Sequence, residues 1–354
     1  MCVDVEIKVI LPKIGICLVL DFLGRIDDMP KKNEVDVSQL CLSLPETQRE
    51  YPLGQSAMYQ IISEQGGIPI HPRYCRENGL LFEEDSLQWL RQLPDNIVDM
   101  VFADPPYNIK KADWDKFESQ EQYIQWSIQW IREVSRILKP TGSLFICGFT
   151  EVLADLKHPA MKYFKGCKWL IWHYKNKANL GSDWGRSHES VLLLRKSKNY
   201  TMNIDSIRIP YNEHTLKYPS HPQASTSQYG NGKQRKTDWV PNPLGAKPKD
   251  VIEIPTTCNG MGEKTKHPTQ KPEELLRKFI LSASNAGEIV LDPFSGSGTS
   301  LVVAEQLGRR WVGCELNPEY NQWAINRIDH VVRKTVEEWI DYDKENVRRR
   351  TSIR

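Results

Sequence analysis

The stretch Val290-Leu-Asp-Pro-Phe-Ser-Gly-Ser-Gly-Thr-Ser300 decides the fold. Its apolar start reads as a buried strand, its centre as a tight turn carrying Gly296 and Gly298, and its end as the opening of a helix to about residue 307. Glycine lets a backbone turn sharply and approach a ligand closely, and the first turn of a helix offers free N–H groups. A phosphate loop would need GxxxxGK[ST], but no lysine follows Gly298. A dinucleotide loop would read GxGxxG, but Leu301 stands at the sixth position. Glu315, 19 residues after Gly296, closes the next apolar run, where a carboxylate can accept hydrogen bonds from ribose hydroxyls. Together these features point to a nucleoside-containing ligand that does not require a pyrophosphate.

Outside this stretch, short apolar runs alternate with segments of helical spacing. Runs at 79–82, 98–102, 143–147, 169–174 and 190–194 read as strands. Between them, 85–93 reads as a helix capped by Asp85 or Ser86. Residues 120–138 place Tyr123, Trp126, Trp130, Val134 and Leu138 on one face. Residues 272–282 predict another helix, a long last helix begins near Pro318, and the arginines at 348–350 predict a frayed basic end. Strands alternating with helices mean an α/β fold around a mostly parallel sheet.

Composition agrees. With 26% charged and 40% hydrophobic residues, the 354-residue chain has a soluble globular balance that excludes wholly disordered, collagenous and multi-span membrane classes. The longest apolar stretch, 9–23, is broken by Lys13 and Asp21 and is too short to span a bilayer, so no membrane partner is expected. Eight scattered cysteines without a CxxC pair fit reduced thiols and a cytoplasmic location. His173, His188 and His267 lack metal-ligand spacing, and no metal is expected. Net charge is only +2, but residues 195–267 hold twelve Lys or Arg against six Asp or Glu, interleaved with Tyr200, Tyr211, Tyr218, Tyr229 and Trp239. A basic block of this kind can neutralise phosphates, and tyrosines and polar side chains within it are able to read base edges.

Asp104-Pro-Pro-Tyr-Asn108 directly follows a predicted strand, so it stands at the sheet edge where α/β proteins bind ligands. Two prolines fix the backbone and aim its carbonyl oxygens. A carboxylate beside a carbonyl matches the two hydrogens of an exocyclic amine, and Tyr107 offers a flat face to a planar base. An aromatic amine is a weak nucleophile because its lone pair is delocalised. Two acceptors drawing on its hydrogens favour a more pyramidal, more reactive nitrogen.

The two motifs together resemble the S-adenosylmethionine-dependent amino methyltransferases that act on DNA. Their order, Asp104-Pro-Pro-Tyr107, then the basic block, then Asp292-Pro-Phe-Ser-Gly-Ser-Gly298, resembles the β class, a permuted form of the Rossmann-like methyltransferase sheet. The resemblance spans about residues 75–330 and includes Lys266-His-Pro-Thr-Gln-Lys-Pro272. It implies S-adenosylmethionine as cofactor, with Asp292, Phe294, Gly296, Gly298, Thr269 and Lys271 around it, Glu315 on the ribose and Asp85 near the adenine. It places Asp104, Pro105, Pro106 and Tyr107 at the target base, with Asp104 also bordering the cofactor.

Within the family, Asp in the first motif position favours adenine N6, and the nucleotide must be flipped from its duplex. The implied organisation is an N-terminal extension of unassigned role (1–74), a catalytic half (75–194) and a DNA-recognition insert (195–265). A cofactor-binding half (266–340) and a basic tail (341–354) follow. Double-stranded DNA is the expected partner; a cognate restriction endonuclease and a homodimer are left open. Three alternatives stand beside adenine methylation: transfer to cytosine N4, a DNA-binding regulator with a vestigial methylation site, and RNA methylation, against which the order of the motifs argues.

Overall fold

The computed structural model describes residues 5–11, 16–22, 56–64, 71–109, 115–174, 182, 184–219, 221–222, 238–258 and 261–352. The chain divides into two units, Met1–Arg49 and Glu50–Arg354. In the first, strands β1 (Val5–Leu11) and β2 (Ile16–Phe22) pair antiparallel.

The second unit contains, in chain order, α1 (Ala57–Glu64), β3 (Tyr74–Arg76), β4 (Gly79–Phe82), α2 (Ser86–Gln92), β5 (Val98–Ala103), α3 (Gln120–Ile137), β6 (Leu138–Gly148), α4 (Thr150–Ala160), β7 (Gly166–His173) and β8 (His188–Arg195). These are followed by α5 (Glu213–Lys217), a two-residue strand pair β9 (His221–Pro222) and β10 (Asp238–Trp239), β11 (Val251–Glu253), α6 (Glu273–Ala283), β12 (Ile289–Asp292), α7 (Thr299–Gln306), β13 (Arg310–Cys314), α8 (Pro318–Asp329) and α9 (Val336–Ser352). Nine strands form one sheet in the order β11-β7-β8-β6-β5-β12-β13-β4-β3. The central five, β6 to β4, run parallel, while β8 and β3 run antiparallel to their inner neighbours.

Both faces of this sheet are covered, which explains why its strands read as unbroken apolar runs. Leu80, Val101, Leu144, Ile146, Leu192 and Leu291 face a core shared with α1 to α4. Their neighbours Leu81, Met100, Phe145, Val191 and Val290 face a second core shared with α6 to α9. Met58 and Ile62 of α1 lie in the first core, and β3 extends the sheet. Residues 56–64 and 74, part of the stretch left without a role from sequence, thus contribute to the main unit.

Two expectations need correction. The predicted long last helix is two helices, because Thr335 and Glu338 form a reciprocal cap. The Glu338 N–H donates to Thr335 Oγ1 at 3.2 Å, and the Thr335 N–H donates to Glu338 Oε2 at 2.7 Å. The stretch expected to fray is the second half of α9. Trp339 and Asp343 are buried in the first half of that helix, and in its second half Arg350 grips Glu274 with two hydrogen bonds of 2.6 and 2.8 Å. The basic segment also contributes to the sheet, since β11 pairs in parallel with β7 at its edge.

From β5 the chain crosses through α3 to β6 on one side, and from β12 it crosses through α7 to β13 on the other. Strand order therefore reverses between β5 and β12. Their carboxyl ends at such a reversal are the place where open α/β sheets bind ligands.

Candidate active site

Acids stand at the carboxyl ends of four neighbouring parallel strands. Asp104 follows β5, Asp292 ends β12, Glu315 follows β13, and Asp85 lies just beyond β4. Each is used differently.

The Asp104 turn is held from within. Asn108 adopts φ +57°, a left-handed conformation that Asn tolerates better than most residues. Buried Asp115 accepts the Asn108 N–H at 2.6 Å and the Ile109 N–H at 3.1 Å. Tyr107 donates its hydroxyl proton to Asp104 Oδ1 at 2.6 Å and lies 3.1 Å from Glu189 Oε2. Lys271 Nζ donates to Asp104 Oδ2 at 2.5 Å and to the Thr269 carbonyl at 3.3 Å, and stands 3.6 Å from Glu189 Oε2. The Lys271 side chain is only 6% exposed. Burial works against its charge, yet the Asp104 and Glu189 carboxylates outweigh that penalty and hold its pKa above the ordinary lysine value. Burial, reinforced by the same two carboxylates, pushes the Tyr107 phenol well up. The Tyr107 ring meets Phe149 edge-on at 5.1 Å, and Arg186 covers Phe149 at 3.9 Å.

The glycine turn is built for close approach. Gly296 has φ +52°, and a Cβ there would sit 3.0 Å from His267 Nε2. Gly298, at φ +73°, caps α7, and a Cβ there would sit 2.6 Å from Ala324 Cβ. Asp292 staples this turn. It accepts the Phe294 N–H at 2.9 Å on Oδ1 and the Ser300 hydroxyl on Oδ2. Burial pushes its pKa up to about 7, against the lowering effect of those two donors. Glu315 accepts the Gly296 N–H and the Asn317 N–H, each at 2.8 Å, and burial raises its pKa. A carboxylate has roughly four lone-pair sites, so beyond its backbone donors Glu315 keeps capacity for a hydroxyl.

The segment before α6 joins the two turns. Gln270 Oε1 accepts from the Thr265 N–H at 2.7 Å and the Thr265 hydroxyl at 2.8 Å, while its amide donates to the Glu263 carbonyl at 2.6 Å. This fixed arch lays His267 on Gly296 at one end and Lys271 on Asp104 at the other.

Of the residues singled out from sequence, Asp104, Tyr107, Thr269 and Lys271 come together directly, and Gly296 and Glu315 form a second contact group. Pro105 and Pro106 lie in the Asp104 turn. Phe294 turns its ring onto Trp126 and Trp130, at 5.8 and 5.4 Å. Asp85 is exposed and caps α2 through the Gln88 N–H at 3.0 Å. Glu189 was missed. It sits near the start of β8, which runs antiparallel to β6, so it reaches the carboxyl edge from the opposite direction.

In the basic segment, Asn203 bonds the carbonyls of Leu281 and Ser284 at the end of α6, and buried Arg208 bonds Asp205 and the Gly245 carbonyl. Leu216, Tyr218, Val240 and Leu244 are exposed. Lys233, Arg235, Lys236 and Tyr229 lie outside the described residues.

The surroundings of the glycine turn fit S-adenosylmethionine. The positive-φ turn at Gly296, closed on its Cβ side by His267, and the half-buried acceptor Glu315 suit a ribose diol held beside backbone. Comparison with known proteins agrees. Residues 98–326 match the N6/N4 methyltransferase family model, described as DNA methylase. The DNA adenine methyltransferase YhdJ of Escherichia coli K12 is 34% identical over 271 residues, covering 75% of this chain and 88% of its own. Type II methyltransferase M1.MboII of Moraxella bovis is 33% identical over 261 residues, covering 70% and 97%. Among solved structures, the cytosine-N4-specific PvuII DNA methyltransferase shares the fold, with a TM-score of 0.57 and 18% identity, covering 79% of this chain and 96% of its own. A permuted order of motifs, acids gathered at the switch point of the sheet and matches over most of its length place this chain in the N6/N4 DNA methylase family.

Proposed function

We propose that this DNA methyltransferase acts on the N6 amino group of adenine flipped out of a short duplex sequence. The observation that carries the reading is Asp104. Its carboxylate stands at the switch point, partly open and fixed by Tyr107 and Lys271, one strand away from the glycine turn. A relative named as a DNA adenine methyltransferase supports the same base.

When bound, S-adenosylmethionine supplies a methyl group on a cationic sulfonium, whose S–C electron pair leaves with sulfur, so no metal is called for. Gly296, Gly298 and Glu315 bind it, and His267 and Thr269 wall it. Phe294 contributes its backbone turn, and Asp292 keeps that turn in shape. Asp104 accepts a hydrogen of the target amine and takes the proton released once the N–C bond has formed. The Pro105–Pro106 backbone and the Tyr107 ring position the base. The flipping cost of a few kcal/mol is met by base stacking and by phosphate contacts of the 195–265 segment, which serves as the recognition insert. A DNA substrate supports a cytoplasmic location. The type II relatives also support a cognate endonuclease as partner.

The test incubates purified protein with duplex DNA and methyl-labelled S-adenosylmethionine, then separates the nucleosides. Label in N6-methyl-2′-deoxyadenosine is expected. Label in N4-methyl-2′-deoxycytidine would overturn the base assignment and keep the family.

A further inference from the structure

Glu189 has no role in the mechanism so far, yet it completes a closed group of four side chains with Asp104, Tyr107 and Lys271. Tyr107 Oη lies 2.6 Å from Asp104 Oδ1 and 3.1 Å from Glu189 Oε2, and it has one proton to give. Lys271 Nζ lies 2.5 Å from Asp104 Oδ2 and 3.6 Å from Glu189 Oε2. All three charged side chains are 17% exposed or less. Two carboxylates therefore compete for one ammonium and one phenol proton, and in this structure Asp104 holds both.

That arrangement opposes catalysis. An acceptor that must draw on a weakly acidic amine is blunted when an ammonium sits against one of its oxygens and a phenol bonds the other. Pulling Lys271 away with nothing to receive it would strand a buried cation. Glu189 supplies the receiver, already placed: a shift of about 1 Å in Nζ and a reorientation of the Tyr107 hydroxyl carry both donors to it. No bond to carbon, nitrogen or sulfur changes in this exchange, and the net charge of the group stays at −1.

We infer that Glu189 is a positioning residue, an alternative counter-ion that takes Lys271 and the Tyr107 hydrogen bond from Asp104 when the target amine arrives. The inference rests on the reading of Asp104 as the amine acceptor. Glu189 itself touches neither base nor cofactor in this account.

The test is a double-mutant cycle on single-turnover methylation at saturating DNA and S-adenosylmethionine. Glu189→Gln keeps the shape and removes the charge. It should slow the step on the order of 10²-fold, with dissociation constants for both ligands within about threefold of the parent. Glu189→Asp should recover most of the loss. In a Lys271→Met background the same Glu189→Gln change should cost less than about threefold, because there is no longer an ammonium to receive. A full rate in Glu189→Gln would overturn the inference. So would an equal loss in both backgrounds, which marks a purely structural residue, or a loss confined to ligand affinity. Should Lys271→Met fail to fold, the rate, affinities and Asp rescue of the Glu189 variants still decide. A full rate in Asp104→Ala would instead strike the reading of Asp104 and is scored separately.

Discussion

Two Asp-Pro turns leave the same edge of the sheet one strand apart, and the chain uses them in opposite ways. Leu291 of β12 pairs with Val101 of β5, so Asp292-Pro293 and Asp104-Pro105 emerge side by side. Asp292 is buried and spends both oxygens on its own turn, on the Phe294 N–H and the Ser300 hydroxyl. Asp104 is partly open, and the backbone of its turn is held instead by Asp115, which leaves its carboxylate to side chains, the Tyr107 hydroxyl on one oxygen and Lys271, 167 positions away, on the other. The dipeptide sets the backbone. Whether the acid becomes a staple or a reagent depends on which other residue satisfies the turn.

The largest expected effect separates the two acids. Asp104→Ala should lower turnover by about 10³-fold and leave S-adenosylmethionine affinity within about threefold, measured by calorimetric titration and label transfer. Asp292→Ala should do the reverse. It strands the two donors of the glycine turn, costs about 1–3 kcal/mol of stability, and weakens cofactor binding more than the saturated rate. Equal behaviour of the two variants would erase the distinction.

Gly298→Ala probes the staple through its backbone. Positive φ and a 2.6 Å approach to Ala324 Cβ both resist the added methyl. A loss of roughly 2 kcal/mol is expected in denaturant unfolding.

The pH dependence sharpens the comparison further. Asp292 has a folded pKa of about 7 against an ordinary 3.8, and Glu263, raised by burial and by neighbouring Glu273, has about 7 against 4.5. Both are raised acids. The stability they lend is complete below pH 4 and is lost as pH climbs through about 7. Asp292→Asn should therefore flatten the decline in stability between pH 5 and 8, an effect on the order of 2 kcal/mol, readable as a less pH-dependent Tm. A decline left unchanged would remove Asp292 as its source.

Asp85 gives the smallest effect. It shares the edge but caps α2 in solvent. Asp85→Ala should cost about 0.5–1 kcal/mol of stability; a marked loss of cofactor affinity would show that it also serves the adenine.

Much of this was legible because it is local. The glycine turn, Asp104 and the helix cap at Asp85 each need only a few consecutive residues. The antagonism within the site was not, since Lys271 and Asp104 are 167 positions apart. Lys271 was assigned to the cofactor by resemblance, whereas its nearest partner is the proposed amine acceptor. Glu189 escaped because its relevance depends on β8 running against β6, which periodicity does not reveal. The break before α9 was readable in Thr335 and Glu338, but apolar spacing across it masked the signal.

The most direct test of the central claim is modification mapping of genomic DNA from a methylation-free host that expresses the chain, beside the same host expressing Asp104→Ala. N6-methyladenine confined to one short motif, and absent with the variant, is the predicted result. The same mark persisting in the variant, or N4-methylcytosine in its place, would contradict the account.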